Sequence, residues 1–250
     1  MNVVLLHGWG LNSAVWDEFV ASAIQIAPEL KFHPICMPGY GENSHLKSCS
    51  EIKHIATWML NKAPEKAVWL GWSLGGMIAV QAAAIDNDKC IRGLYLMATS
   101  PCFVQKSDWE LGVPNDVFNR FADELGNDYK SALTRFLLLQ AGFGSEAKAL
   151  AKRAQRSVCE YPAPELDTLK AGIDLLEKVD LRGLISQSCL KDVPSHVLSC
   201  SLDRVANPRG GVELAKLLGA TSTVIKSGHA PFLSRPADVI SDLLSFCDRL

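Results

Sequence analysis

Residues 68–80 read VWLGWSLGGMIAV: an apolar, β-like run, then a serine set among glycines, then the start of a helix-like run that continues to Ile85. Gly71, Trp72, Ser73, Leu74 and Gly75 match the pattern G-x-S-x-G, and Gly76 follows at once. A strand that turns sharply into a helix can hold such a serine in a strained backbone with its hydroxyl at the end of a sheet, while the glycines let the two segments approach closely. A plain strand-to-helix turn would use the same small residues. The rest of the chain must therefore distinguish the two.

Working outward, further short β-like runs lie at 2–7 (NVVLLH), 31–36 (KFHPIC), 66–71 (KAVWLG), 92–98 (RGLYLMA), 195–200 (SHVLSC) and 221–226 (TSTVIK), separated by helical patterns or turn residues. Strands alternating with helices predict an α/β protein with a mostly parallel central sheet covered on both faces. The rhythm breaks between about Ser100 and Gly183, where DVFNRFADEL, DYKSALTRFLLLQAGF, SEAKALAKRAQRSV and PELDTLKAGIDLLEKV carry apolar residues at helical spacing. We read 101–182 as a helical cap inserted into a core made of 1–100 and 183–250.

Composition narrows the function classes. With 48% hydrophobic and 21% charged residues among 250, the chain suits one sizeable globular domain, and its net charge of −2 provides no global positive field for nucleic acid or anionic membranes. The eight cysteines are scattered, with no C-x-x-C pair and no zinc-like spacing, which predicts free thiols in a reducing cytoplasm. No basic stretch precedes the short apolar run VVLL, so a secretory leader is not expected. The apolar runs also fall well short of the roughly 20 residues a membrane span needs.

A serine hydroxyl is a weak nucleophile at neutral pH, so it needs a base and a group to orient that base. In this strand-turn-helix architecture the chain order is serine, acid, histidine. Only His196 and His229 follow Ser73. His196 falls inside a β-like run and reads as a packed strand residue, whereas His229 lies in the loop KSGHAPFLSRP after the last apolar strand, at the carboxyl edge where open α/β sheets bind ligands. Asp203, in VLSCSLDRVANP, follows the preceding strand at the same edge; Asp192 precedes that strand, and Asp180 ends a helix, where a capping or solvated role is expected. The developing oxyanion requires N–H donors, for which Leu74 and Trp9, in LLHGWG after the first strand, are the candidates.

With these residues in place, the chain resembles the α/β-hydrolase superfamily and, within it, the pimeloyl-[acyl-carrier protein] methyl ester esterases. The likeness rests on LLHGWGLNSAVW (5–16), LGWSLGGMIA (70–79), ATSPCF (98–103), RFLLLQ (135–140), VDLR (179–182) and HAPFLSRP (229–236). It implies an α/β-hydrolase fold, a Ser73, Asp203 and His229 triad, oxyanion and ester contacts from Trp9 and Leu74, and an acyl pocket lined by Phe136, Leu137, Leu138, Leu139 and Gln140. It further implies a serine esterase that removes a methyl ester from a pimeloyl chain carried on acyl carrier protein; such serine chemistry requires neither metal nor organic cofactor, and a monomer is expected. Relatives usually carry Asp where Cys36 stands and Gly where Cys200 stands, and their D-x-x-V-P reads D-R-V-A-N-P here.

A last pattern concerns the partner. Lys148, Lys152 and Arg156 are four apart in SEAKALAKRAQRS and share one helix face, near Arg153 and against a single Glu146. Such a stripe is ordinarily a solvated face; the resemblance turns it into a candidate dock for an acidic carrier protein, with Arg135 as a further contact. The competing readings are a general carboxylesterase, another hydrolase of the same scaffold, or a hydrolase-fold binding protein without turnover.

Overall fold

A computed structural model describes residues 1–47, 49–88, 90–114, 128–140 and 145–250, and leaves aside the side chains at 130, 132, 135, 136, 139, 140 and 145–147. Among the described residues one sheet contains six strands: β1 (Asn2–Leu6), β2 (Lys31–Ile35), β3 (Ala67–Trp72), β4 (Ile91–Met97), β5 (Ser195–Cys200) and β6 (Thr221–Ile225). Their order is β2-β1-β3-β4-β5-β6 and every pairing is parallel. The six β-like runs of the sequence are these strands, shifted by a residue or so at their ends.

The central strands are apolar on both faces because both are covered. All of Ala67–Trp72 and all of Ser195–Cys200 are buried, whereas the edge strands β2 and β6 are only partly so. Alternate residues feed two layers. Val4, Leu6 and Trp69 join Ile55 and Met59 of α2 (Ile52–Lys62), Met77 and Ile78 of α3 (Leu74–Ile85) and, across the sheet, Leu214 near the chain's end. Val3, Leu5, Val68 and Leu70 join Phe19 of α1 (Asp17–Ile26) and the carboxyl-terminal residues Val239, Ile240 and Leu243.

Between β4 and β5 lie α4 (Tyr129–Gln140), α5 (Ser145–Val158), α6 (Leu166–Lys178) and α7 (Arg182–Gln187). Three of the helical patterns read from the sequence are thus α4, α5 and α6; the fourth, at 116–125, lies outside the described residues. Leu133, Leu137, Ala151, Ala154 and Val158 pack into the layer of α1, while Leu169, Leu175 and Leu176 pack into the layer of α2 and α3. Within the segment between β4 and β5, residues far apart in sequence are clasped together. Arg182 donates to Asp180 and, at 3.0 Å, to Asp108, and its guanidinium lies 5.1 Å above the Trp109 ring. Asp180 also accepts from the Arg182 backbone N–H at 3.1 Å; it lies two residues past the end of α6 and is the residue before the N-cap Leu181 of α7, so it is an ion-pair partner and not the helix-ending cap expected.

The chain closes with α8 (Pro208–Leu218), β6, the single turn α9 (Pro231–Ser234) and α10 (Pro236–Cys247). Tyr95, Thr223 and His196 converge on Asp242 of α10, with His196 Nε2 2.8 Å from Asp242 Oδ2 and Nδ1 2.7 Å from Thr221 Oγ1. His196 is therefore a packed strand residue, as its position in the sequence suggested. Among the described residues no helix is long and apolar enough to cross a membrane.

The sheet reverses its winding between β1 and β3, so the loops leaving their carboxyl ends lie side by side. Glycine makes that neighbourhood possible. A Cβ on Gly75 would stand 2.5 Å from the Leu6 carbonyl oxygen and 2.7 Å from that of His7; one on Gly71 would stand 2.5 Å from the Gly75 carbonyl oxygen. Backbone atoms cannot yield as a flexible side chain can. Gly75→Ala is therefore expected to cost about 3 kcal/mol by overpacking, roughly 6–12 °C in Tm. Gly183→Ala in α7, where a Cβ meets nothing within 4 Å, should leave the thermal melt unchanged or slightly raised.

Candidate active site

Ser73 occupies the residue between β3 and α3 with φ 56° and ψ −121°, a conformation that costs a non-glycine residue about 1–3 kcal/mol and persists only when its surroundings enforce it. They do. The Ser73 N–H donates to Met97 O at 3.0 Å, its carbonyl accepts from Thr99 Oγ1 at 2.7 Å, and Gly76 N–H donates to the same carbonyl at 2.9 Å. Leu74 is the first residue of α3, so its N–H has no acceptor within the helix and faces the end where the helix dipole is positive.

Asp203 and His229 arrive from the loops after β5 and β6. Asp203 Oδ1 accepts from the N–H groups of Val205 and Ala206 at 2.7 and 2.9 Å, and Oδ2 lies 2.8 Å from His229 Nδ1. Both side chains are 1% exposed. A carboxylate already holding two backbone donors accepts the third bond from Nδ1–H, which fixes the imidazole tautomer and directs Nε2 outward from the pair. The His229 backbone is anchored to the residue before the serine: Trp72 Nε1 donates to His229 O at 2.7 Å, and the two rings lie 5.4 Å apart. Three chain segments far apart in sequence thus meet at one sheet edge.

The loop after β1 completes the edge. A Cβ on Gly8 would stand 3.4 Å from Ser73 Cβ and 3.1 Å from the Trp72 ring, so this loop lies against the turn that bears Ser73. The Trp9 indole Nε1–H donates to Leu169 O of α6 at 2.9 Å, and Gly172 leaves room for the ring, which a Cβ there would strike. Tyr129 of α4 donates its hydroxyl to Gly10 O at 2.8 Å, and Asn12 Nδ2 donates to Val158 O at 3.0 Å. Helices of the insertion therefore hold this loop from several sides. At its base, His7 Nε2 accepts from the Met37 N–H at 3.0 Å, which leaves Nδ1 to donate to Gly8 O at 2.8 Å. Burial lowers the His7 pKa from 6.5 to about 4 by penalising the charged ring, so the imidazole is neutral at physiological pH.

His7, Thr99 and Tyr129 are the site residues that sequence reasoning passed over. His7 stood in view at the end of the β-like run 2–7 but was assigned no part in the site; Thr99 and Tyr129 act through backbone carbonyls, which leave no pattern in sequence. Of the suggested pocket residues, Leu137 is buried in the layer of α1 and Leu138 is half-buried against it. The side chains of Phe136, Leu139 and Gln140, and that of Arg135, lie outside the described residues. Lys148, Lys152 and Arg156 are exposed on α5, while Arg153 pairs with Glu18 at 2.8 Å. Cys36 and Cys200 are buried: Cys36 Sγ donates to Ser13 Oγ at 3.0 Å and accepts from the Ser13 N–H at 3.2 Å. Burial raises the Cys200 thiol pKa, with the Asp203 charge acting in the same direction, so Cys200 sits beside the acid as a neutral packing group.

The model of the alpha/beta hydrolase family matches residues 3–243. The chain belongs to the α/β-hydrolase family. Among curated α/β-hydrolases, it is 36% identical over 248 residues to the pimeloyl-[acyl-carrier protein] methyl ester esterase of Pectobacterium carotovorum, covering 98% of this chain and 93% of the other. The proteins of that name from Klebsiella pneumoniae and Vibrio vulnificus are 36% and 34% identical, covering 100% and 99% of this chain and 94% of each of theirs. Solved α/β-hydrolase structures share the fold at lower identity. An esterase from Exiguobacterium antarcticum superposes with a TM-score of 0.81 at 20% identity, covering 98% of this chain and 91% of that one. A bromoperoxidase from Bacillus anthracis gives 0.83 at 17%, covering 99% and 91%.

The neutral His7 has a consequence for stability. The unfolded chain binds a proton at position 7 below pH 6.5, the folded chain only below about 4. The stability that His7 contributes is thus complete above pH 6.5 and is lost as pH falls toward 4, by about 3 kcal/mol for this difference. Urea denaturation of wild type between pH 7.5 and 4.5 should show this decline, and His7→Gln, less stable at pH 7.5, should show a correspondingly shallower one.

Proposed function

We propose that this chain hydrolyses the methyl ester of pimeloyl-[acyl-carrier protein], releasing methanol and leaving a free carboxylate on the carrier-bound chain, a step of biotin biosynthesis. The observation that carries the reading is the buried Asp203 and His229 pair at 2.8 Å, latched to the strained Ser73 elbow, in a chain matched nearly end to end by proteins of that name.

In this mechanism Asp203 holds His229 with Nε2 toward Ser73. His229 takes the Ser73 proton as Oγ attacks the ester carbonyl, and the N–H groups of Trp9 and Leu74 receive the oxyanion. Collapse of the tetrahedral intermediate expels methoxide, which leaves as methanol with the proton from His229. Water, deprotonated by His229, then attacks the acyl-enzyme and frees Ser73. In this account 1–100 and 183–250 form the hydrolase core and 101–182 the cap, whose α4 supplies an acyl pocket from the segment Phe136–Gln140.

The exposed stripe of Lys148, Lys152 and Arg156 on α5 would receive the acidic surface of the carrier, with Arg135 as an added contact. A local positive patch on a chain of net charge −2 steers an acidic partner without attracting polyanions in general.

Ser73→Ala is expected to lower kcat for a short p-nitrophenyl ester by about 10³-fold or more, and to abolish biotin-independent growth when the chain replaces the methyl esterase of a bacterium lacking its own. Equal rates for the two proteins would remove the enzyme reading and leave the binding-protein alternative. Reversing Lys148 and Lys152 to Glu should raise KM for the carrier-bound ester roughly three- to tenfold while sparing the short ester; equal changes in both would dismiss the dock.

A further inference from the structure

We infer that His7 is a positioning residue of the reaction: its Nδ1–H holds the Gly8 carbonyl and thereby aims the Trp9 N–H into the oxyanion site. The inference rests on the proposed role of the Trp9 N–H. The Gly8 carbonyl and the Trp9 N–H belong to one peptide unit, and no peptide among the described residues is cis. In a trans peptide the two groups point in opposite directions. A carbonyl bonded at 2.8 Å by the buried imidazole therefore sends the N–H the other way, and the Gly8 position, 3.4 Å from Ser73 Cβ for an added Cβ, sets this peptide beside the nucleophile.

The peptide needs such a restraint. Glycine at position 8 opposes rotation of the Gly8–Trp9 plane less than any other residue would, and a flipped plane would present carbonyl lone pairs to the developing negative charge. The rest of the loop is fixed elsewhere, by Tyr129 at Gly10 O and by Leu169 O at the Trp9 indole; neither of those bonds orients the Gly8–Trp9 plane. His7 does, and its own ring is immobilised by the Met37 N–H at 3.0 Å and by edge-on contact with the Tyr40 ring, centroids 5.3 Å apart. A filler of equal volume would satisfy packing with an apolar side chain. The imidazole instead spends both nitrogens on the backbone, one as acceptor and one as donor.

The test compares His7→Leu, which removes the donor, with His7→Asn, whose Nδ2 can reach the position of Nδ1. Both are assayed in the full chain with p-nitrophenyl butyrate and with butylboronic acid as a tetrahedral mimic. His7→Leu should lower kcat about 10- to 100-fold, short of the 10²–10³ for complete loss of an oxyanion donor, with KM within about threefold and boronate affinity falling alongside kcat. His7→Asn should recover most of both. An unchanged kcat in His7→Leu, a loss confined to KM, or a folded His7→Asn as impaired as His7→Leu overturns the inference. Wild-type ¹H–¹⁵N spectra give a readout independent of how the variants fold: on boronate binding the Trp9 amide and the His7 Nδ1–H should both shift. A Trp9 amide that moves while His7 does not overturns the role of His7 alone; a Trp9 amide that stays still overturns the oxyanion reading beneath it.

Discussion

The close approach of α3 to the end of β1 is the constraint on which the rest of the site depends. Gly75 lies against the carbonyl oxygens of Leu6 and His7 with no space for a Cβ, and Gly71 lies equally close to the Gly75 backbone. Helix and strand ends can meet this tightly only if the chain turns within a single residue, which drives Ser73 to φ 56°. The same turn puts the first N–H groups of α3 beside the loop after β1. Serine, helix terminus and Trp9 loop are therefore consequences of one packing arrangement rather than three separate features.

Electrostatics then complete what packing begins. The Asp203 side chain is 1% exposed, and a buried carboxyl group is costly unless its oxygens find donors. Two backbone N–H groups and the His229 ring provide them. His7 presents the complementary case of a titratable ring kept neutral, since both of its nitrogens face backbone partners and burial disfavours the charge. His229 faces a carboxylate and His7 only backbone groups, although both flank the same sheet edge. Their environments, not their residue type, separate the roles.

Much of this was legible in the sequence because apolar runs bounded by turns report buried strands directly: VVLL and AVWLG are β1 and β3, and the switch point between them follows from connectivity. The candidate acid and base were legible from their places after β5 and β6, since only a few titratable residues follow a strand in the required order. Other contacts were not. The bonds from Trp9 to Leu169 O and from Tyr129 to Gly10 O span 160 and 119 residues and end on carbonyls that every residue possesses, so no residue pattern marks them. Cys36 is a further case: Ser13 supplies its buried thiol with both a donor and an acceptor, a pairing that nothing in the sequence marks.

The helices between β4 and β5 are tied to the site itself, through α4, α5 and α6 to Gly10, Asn12 and Trp9, so under the proposed function a carrier docked on α5 and the loop that bears Trp9 would share a physical connection. The most direct test of the whole account is acid-quenched analysis of the enzyme mixed with pimeloyl-[acyl-carrier protein] methyl ester. Attack on the methyl ester while the chain's other end stays on its carrier makes the acyl-enzyme a covalent conjugate of the two proteins. The account predicts a transient species of summed mass whose linkage maps to Ser73 by peptide mass spectrometry. Turnover with a linkage at any other residue, or methanol release with no conjugate at the earliest quench times, would contradict it.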